Sequence, residues 1–183
     1  MIKETKYYSK IIYDMIKGCK YCVKGQKLVL FVTGLCTRNC FYCPLSKNRI
    51  KKDVIFANEK PINSKSNIKK QIYEIINEAK INKAKGAGIT GGDPLVTLNR
   101  TIAYIKELKK EFGKNFHIHL YTSFDLVNNT TIKKLYNSGL DEIRFHPDIN
   151  NEKLWKNIYF ALNYDWDIGI EIPILPNKED STK

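Results

Sequence analysis

Cys36, Cys40 and Cys43 stand in the run Cys36-Thr-Arg-Asn-Cys40-Phe-Tyr-Cys43, a C-x3-C-x2-C spacing. Three thiolates bunched this closely can hold three irons of a [4Fe-4S] cluster, which normally takes four cysteine ligands. The fourth iron then keeps an open position. By analogy with zinc, an open position separates a chemical metal site from a structural one. A structural zinc site wants four ligands, and no fourth stands beside these three.

A second feature follows about 50 residues later, Gly91-Gly92-Asp93-Pro94. Each motif comes directly after a strand-like run, residues 27–34 for the cysteines and 84–90 for the glycines. Gly91 and Gly92 lack side chains, so backbone can approach a ligand closely there and leave a carbonyl exposed. Asp93 before Pro94 also reads as a plain turn acid.

Together the two motifs resemble the signature of the radical S-adenosylmethionine (SAM) superfamily. Tyr42, just before the third cysteine, matches the aromatic residue usual at that place. The resemblance implies that Cys36, Cys40 and Cys43 bind a [4Fe-4S] cluster whose open iron takes the amino and carboxylate groups of SAM. It implies that Gly91, Gly92 and Asp93, similar to the family's GGEP motif, hold the methionine ammonium; Asp93 keeps the charge of the usual Glu but is one methylene shorter. Ser123 and Arg144 are expected at SAM's ribose and carboxylate, and His146 and Glu171 as further cofactor contacts. The chemistry implied is reductive cleavage of SAM to methionine and a 5′-deoxyadenosyl radical, which removes hydrogen from a substrate. The implied partners are SAM, an electron donor such as ferredoxin or flavodoxin, and an unknown substrate that is a protein, an RNA or a small molecule. Within the superfamily the layout looks most like archaeal relatives of the pyruvate formate-lyase activating enzymes.

All five cysteines lie before residue 44, an odd count in one segment. A disulfide framework would spread and pair them, so clustering favours metal binding. Cys19 and Cys22 form a C-x2-C pair upstream. They are candidates for a second metal, zinc or an iron–sulfur centre, but two ligands are insufficient alone. A redox pair and two unligated cysteines remain open readings.

The chain of 183 residues is long enough for one domain with a real core, and 43% apolar with 27% charged residues is ordinary for a globular protein. No stretch approaches the ~20 apolar residues of a membrane helix, and the start Met1-Ile-Lys-Glu-Thr-Lys lacks the apolar core of a signal peptide. A cytoplasmic location and no membrane partner are expected. The formal net charge of +12 comes almost entirely from dispersed lysines, which fits solvated helix faces better than a clustered, arginine-rich nucleic-acid surface.

The elements that must position these residues alternate. Residues 5–17 read as a helix from Tyr8, Ile11, Ile12, Met15 and Ile16, and residues 44–64 as polar and irregular. Strands follow at 27–34, 84–90, 116–122, 141–145 and 168–174, with helices around 68–79, 98–108, 132–136 and 154–162 between them. Such βα alternation argues a parallel α/β sheet. In the third and fourth strands His117, His119, Tyr121, Glu142, Arg144 and His146 oppose an apolar face, and Glu171 does so in the fifth. One face therefore packs under helices and the other lines something polar. The expectation is a partial (β/α) barrel of the radical SAM type with about five parallel strands, preceded by a 1–26 lead-in and occupying 27–183. The family core has six strands, so the reading is of a chain truncated before the sixth. An RNA-modifying radical SAM enzyme and a non-catalytic iron–sulfur or metal-binding module stay open beside the leading function.

Overall fold

The computed structural model describes residues 2–177 and 180. Its centre is a seven-stranded sheet in the order β5-β4-β3-β6-β7-β8-β9. The strands are β3 Lys27–Phe31, β4 Ile55–Ala57, β5 Lys60–Ile62, β6 Gly86–Thr90, β7 His117–Thr122, β8 Glu142–Phe145 and β9 Asp167–Ile170. β3, β6, β7, β8 and β9 run parallel, the five strands that the alternation predicts. β4 and β5 add an antiparallel pair on the β3 edge, inside the stretch expected to be irregular. They are three residues each, too short for a periodic signal, and Pro61 argues against a strand. Pro61 is tolerated because β5 is the outermost strand, where a missing N–H costs no ladder bond.

One face of the sheet carries the core. Leu28, Leu30, Ala87, Ile89, Ile118, Leu120, Ile143 and Phe145 are all fully buried. The helices α2 Ile68–Ile81, α3 Leu98–Phe112 and α4 Asn129–Asn137 supply the other half through Ile75, Ala79, Ile105, Leu108, Ile132 and Leu135. Burying each such Leu or Ile contributes about 1.5–3 kcal/mol relative to exposure, which sets the register of every strand. α2 starts at Asn67, whose side chain accepts from the Lys70 amide, and α4 at a capping box between Asn128 and Thr131.

The other face is covered by a short helix, α1 Lys17–Cys22, lying on β6 and β7. This corrects the helix expected over 5–17. Residues 3–11 instead form a small hairpin, β1 Lys3–Glu4 with β2 Lys10–Ile11. Tyr8 and Ile12 have helical spacing but point into solvent, so a helix there would gain no burial. Thr5 and Ser9 close the turn through a hydroxyl bond of 2.7 Å and a backbone bond of 2.8 Å, and Tyr8 takes a left-handed φ of 59°. Two later elements also differ. Glu152–Phe160 is 3-10 rather than α, and the last strand stops at Ile170 because its partner β8 is four residues long and runs into Pro147. Residue 183, the expected end of the sheet segment, lies outside the described residues.

The exit of β3 is anchored to α3. Arg100 grips Asp53 through two nitrogens at 2.6 and 2.8 Å and reaches the Val32 carbonyl at 3.1 Å, while Thr33 donates its hydroxyl to Asp53 at 3.0 Å. The Arg100 hydrogen bond above all holds the Asp53 carboxyl below its ordinary range. A group depressed in the folded state stabilises above its unfolded pKa of about 3.9 and loses that contribution as pH falls through the folded value. The pair is partly exposed, so Asp53→Asn is expected to cost about 1 kcal/mol at neutral pH. Urea unfolding should show the difference from wild type shrinking below about pH 4.

Candidate functional site

Parallel pairing places the ends of β3 and β6 side by side, with Phe31 opposite Thr90. The backbone then zips the two motifs together. Val32 donates to the Thr90 carbonyl at 2.9 Å, Gly92 to Thr33 at 2.7 Å and Asp93 to Leu35 at 2.8 Å. A Cβ on Gly92 would sit 2.2 Å from the Leu35 oxygen, and one on Gly91 2.3 Å from the Thr33 oxygen. Side-chain-free residues are required here because one loop's backbone lies directly on the other's.

Asp93 is fully buried and its carboxylate is occupied by the protein. It accepts from the Leu95 amide at 2.9 Å, the Thr122 hydroxyl at 2.8 Å, and the Ser123 hydroxyl and amide at 2.7 and 3.2 Å. Burial pushes its carboxyl up, against these bonds, each of which favours the ionised form. Asp93 thus caps the 3-10 turn Pro94–Thr97 and ties the end of β6 to the end of β7.

The cysteine loop is tethered to the next two strand ends. Thr37 donates to Asp125 at 2.9 Å. Arg38 donates to the His146 carbonyl at 2.9 Å and pairs with Asp148 at 3.4 Å. The Tyr42 hydroxyl meets His146 Nε2 at 3.1 Å. Burial lowers the His146 imidazole and nearby Arg38 lowers it further, so the ring is neutral at pH 7. Asp125 and Asp148 follow the third and fourth strand-like runs in the sequence, but neither they nor Thr37 and Arg38, inside the cysteine motif, are among the expected site residues. Beside Arg38 a small cleft of about 140 Å³ opens, lined by Phe124, Asp125, Asp148, Asn151, Leu154 and Trp155.

Cys36, Cys40 and Cys43 are free, partly buried thiols on this loop. Cys36 Sγ accepts from the Arg38 amide at 3.4 Å. Burial pushes the Cys36 thiol up, and a bound metal would remove that proton. Soft thiolates in a loop held at several points suit iron–sulfur ligation.

The expected cofactor residues divide into two groups. Tyr42, Gly91, Gly92, Asp93, Ser123 and His146 gather around the cysteine loop through the contacts above. Glu171, exposed just beyond β9, reaches the same region by donating its amide to Phe145 at 2.9 Å. Arg144 belongs elsewhere. It is buried and paired with Glu142, donates to the Tyr121 hydroxyl at 2.5 Å and approaches Cys19 Sγ at 3.4 Å. The polar face predicted for β7 and β8 exists, but α1 closes over its Glu142, His117 and His119. Cys19 and Cys22 lie on that helix rather than on a loop.

The chain is an α/β protein with a mostly parallel sheet and three free thiols on the loop that follows its first parallel strand. Residues 30–168 match the model of the radical SAM superfamily, and the chain belongs to that superfamily. It is also 46% identical over 189 aligned positions to a protein of Methanocaldococcus jannaschii that carries the provisional name glycyl-radical enzyme activating enzyme. The alignment covers 98% of this chain and 48% of that relative, so the chain spans about half the relative's length. A [4Fe-4S] cluster and SAM are the cofactors that the family implies. No helix among the described residues is long and apolar enough to cross a membrane.

The zipper makes a prediction. Gly92→Ala must push the Leu35 backbone away, at a cost of about 1–3 kcal/mol. The variant should fold, by circular dichroism, yet bind less iron and sulfide on anaerobic reconstitution than wild type. Equal iron content would show that the loop does not depend on this contact.

Proposed function

We propose that this chain carries the cluster- and SAM-binding core of a radical SAM enzyme, built as a partial barrel of that family. The observation that carries the reading is the backbone zipper from Gly92 to Thr33 and from Asp93 to Leu35, which joins the two motifs at one end of the sheet. In parallel βα folds, chemistry gathers at the C-terminal strand ends, and the tethers from Thr37, Arg38 and Tyr42 all run to such ends.

Cys36, Cys40 and Cys43 would hold the [4Fe-4S] cluster. Held there, the cluster would supply the one-electron reduction needed for reductive cleavage of SAM. The chain's residues position and shield. Gly91 and Gly92 leave backbone free beside the methionine ammonium. Asp93 supports that turn from beneath, while Tyr42, Ser123, His146 and Glu171 line the approach. Arg144, proposed for the SAM carboxylate, would have to exchange its present partners. A ferredoxin or flavodoxin is the proposed electron donor. The named relative favours a glycyl-radical enzyme as the protein substrate, from which the radical would take hydrogen. Cys19 and Cys22 are retained as candidates for a second metal, and a cytoplasmic location as the expected one.

The test is anaerobic reconstitution with iron and sulfide, reduction by dithionite with SAM, and assay of 5′-deoxyadenosine. Wild type should form it, and Cys40→Ala should reduce it by more than about 1,000-fold, since a cluster without its third thiolate loses the electron source. A cluster that forms without any SAM cleavage would overturn the reading in favour of a metal-binding module.

A further inference from the structure

The polar face beneath α1 contains three side-chain atoms that have no protein partner. They are His117 Nε2, His119 Nδ1 and Glu142 Oε2, all fully buried. Their residues are 3%, 1% and 0% exposed. Leaving a buried polar atom without a hydrogen bond costs about 1–3 kcal/mol, so three such atoms at one point invite an occupant. The residues are not scattered: one donor atom from each lies within 4.8 Å of the others. His117 Nε2 and Glu142 Oε2 are 3.5 Å apart. Donors on a tetrahedron with bonds of about 2 Å sit roughly 3.3 Å apart.

The other ends of two of these groups are already engaged, which aims their unpaired atoms inward. His117 Nδ1 meets Lys27 Nζ at 2.9 Å. Glu142 Oε1 is taken by Arg144. Glycines stand against the cluster on both sides, where any larger residue would collide with it. A Cβ on Gly88 of β6 would lie 2.7 Å from His119 Nε2, and one on Gly18 of α1 only 2.5 Å from Glu142 Oε2 and 3.1 Å from His119 Nδ1.

Gly18 brings its neighbour with it. Cys19 follows directly; its sulfur lies 3.4 Å from Arg144, the partner of Glu142, and outside the group of three donor atoms, so it would have to turn in to join them. Lys27 and Arg144 put two cations beside the single Glu142 carboxylate. A dication is therefore accommodated better with a thiolate than without one. We propose that His117, His119 and Glu142, closed by the thiol of Cys19, form a binding site for a divalent metal of the zinc type. Two imidazoles, a carboxylate and a thiolate are the borderline donor set that zinc takes, and a set of four with no open position is structural rather than catalytic.

The role follows from α1. It has six residues and no side-chain N-cap, and a helix that short is not stable alone. A metal bridging Cys19 to β7 and β8 would fasten the N-terminal segment over the sheet. It would also supply the ligands that the Cys19–Cys22 pair lacks by itself. The competing occupant is a trapped water, which can also satisfy two to four buried polar groups.

The experiment removes the cluster loop from the question. A chain with Cys36, Cys40 and Cys43 all changed to Ala is stripped with chelator and titrated with zinc or cobalt(II). About one metal per chain is expected, with cobalt giving a thiolate-to-metal charge-transfer band. On that background, Cys19→Ser should abolish the charge-transfer band. Glu142→Gln, nearly isosteric, should weaken zinc by more than the about 100-fold that loss of an outer-shell partner costs. Trypsin, acting at Lys17, Lys20 and Lys24, should cut the metal-free chain faster than the zinc-loaded one. If the triple variant is folded and takes up no metal at micromolar free zinc, the occupant is water and the proposal fails. It fails equally if the metal bound is insensitive to Glu142→Gln and shows no thiolate band. Should Glu142→Gln not fold, stoichiometry, the charge-transfer band and the protease readout decide the matter on the triple variant. None of these readouts depends on SAM cleavage.

Discussion

A buried carboxylate with nothing left to offer solvent holds the functional end of this protein together. Asp93 receives hydrogen bonds from the end of its own strand's turn and from two residues at the end of the next. Its amide reaches back to the loop that carries the cysteines. Three segments distant in sequence converge on one residue at no exposure. Such a group cannot be loosened piecemeal: removing any one donor leaves a buried charge short of a partner, which is far costlier than losing a surface contact. The cysteine loop inherits its position from this knot, because Leu35 is fixed one residue before Cys36.

The knot changes what the glycines and the acid of the second motif mean. Read as a sequence, they suggest a surface prepared for a ligand. In the fold, Gly91 and Gly92 first permit one backbone to lie on another, and Asp93 first serves as a cap and cross-strand brace. Preparing for a ligand and bracing the loop are compatible, since a turn held this firmly loses little entropy when something binds against its free backbone.

The sheet uses its two faces differently. One face is apolar throughout and pays for the fold with buried Leu, Ile and Phe. The other carries histidines, a glutamate, an arginine and a lysine that are nearly inaccessible once α1 lies down. Burial drives His117 to about 4 and His119 to about 2, so both imidazoles are uncharged at neutral pH. A neutral imidazole is also the form that can accept a hydrogen bond or bind a metal. The helix α1 is thus the cover of the sheet's polar face, seated on it through the buried Gly18.

Much of this was legible from residue types alone. The C-x3-C-x2-C and GGDP motifs, the βα alternation and the two-faced pattern of the third and fourth strands follow from local spacing, because thiolate ligation, strand periodicity and glycine's bare backbone are properties of short segments. The five parallel strands needed nothing more. What the sequence could not determine depends on long-range contact. The helical spacing of Tyr8, Ile11 and Ile12 was real, but no surface came to bury it, and the helix formed instead where Gly18 fits against Glu142. The strands at 55–57 and 60–62 exist because β3 offers an edge. Arg144 sits in the expected face yet answers to Glu142, Tyr121 and Cys19 rather than to the cysteine loop. Periodicity tells which side of an element a residue faces; only the packed fold decides what stands on that side, since partners more than 100 residues apart, such as Cys19 and Arg144 at a separation of 125, meet through tertiary burial and not through spacing.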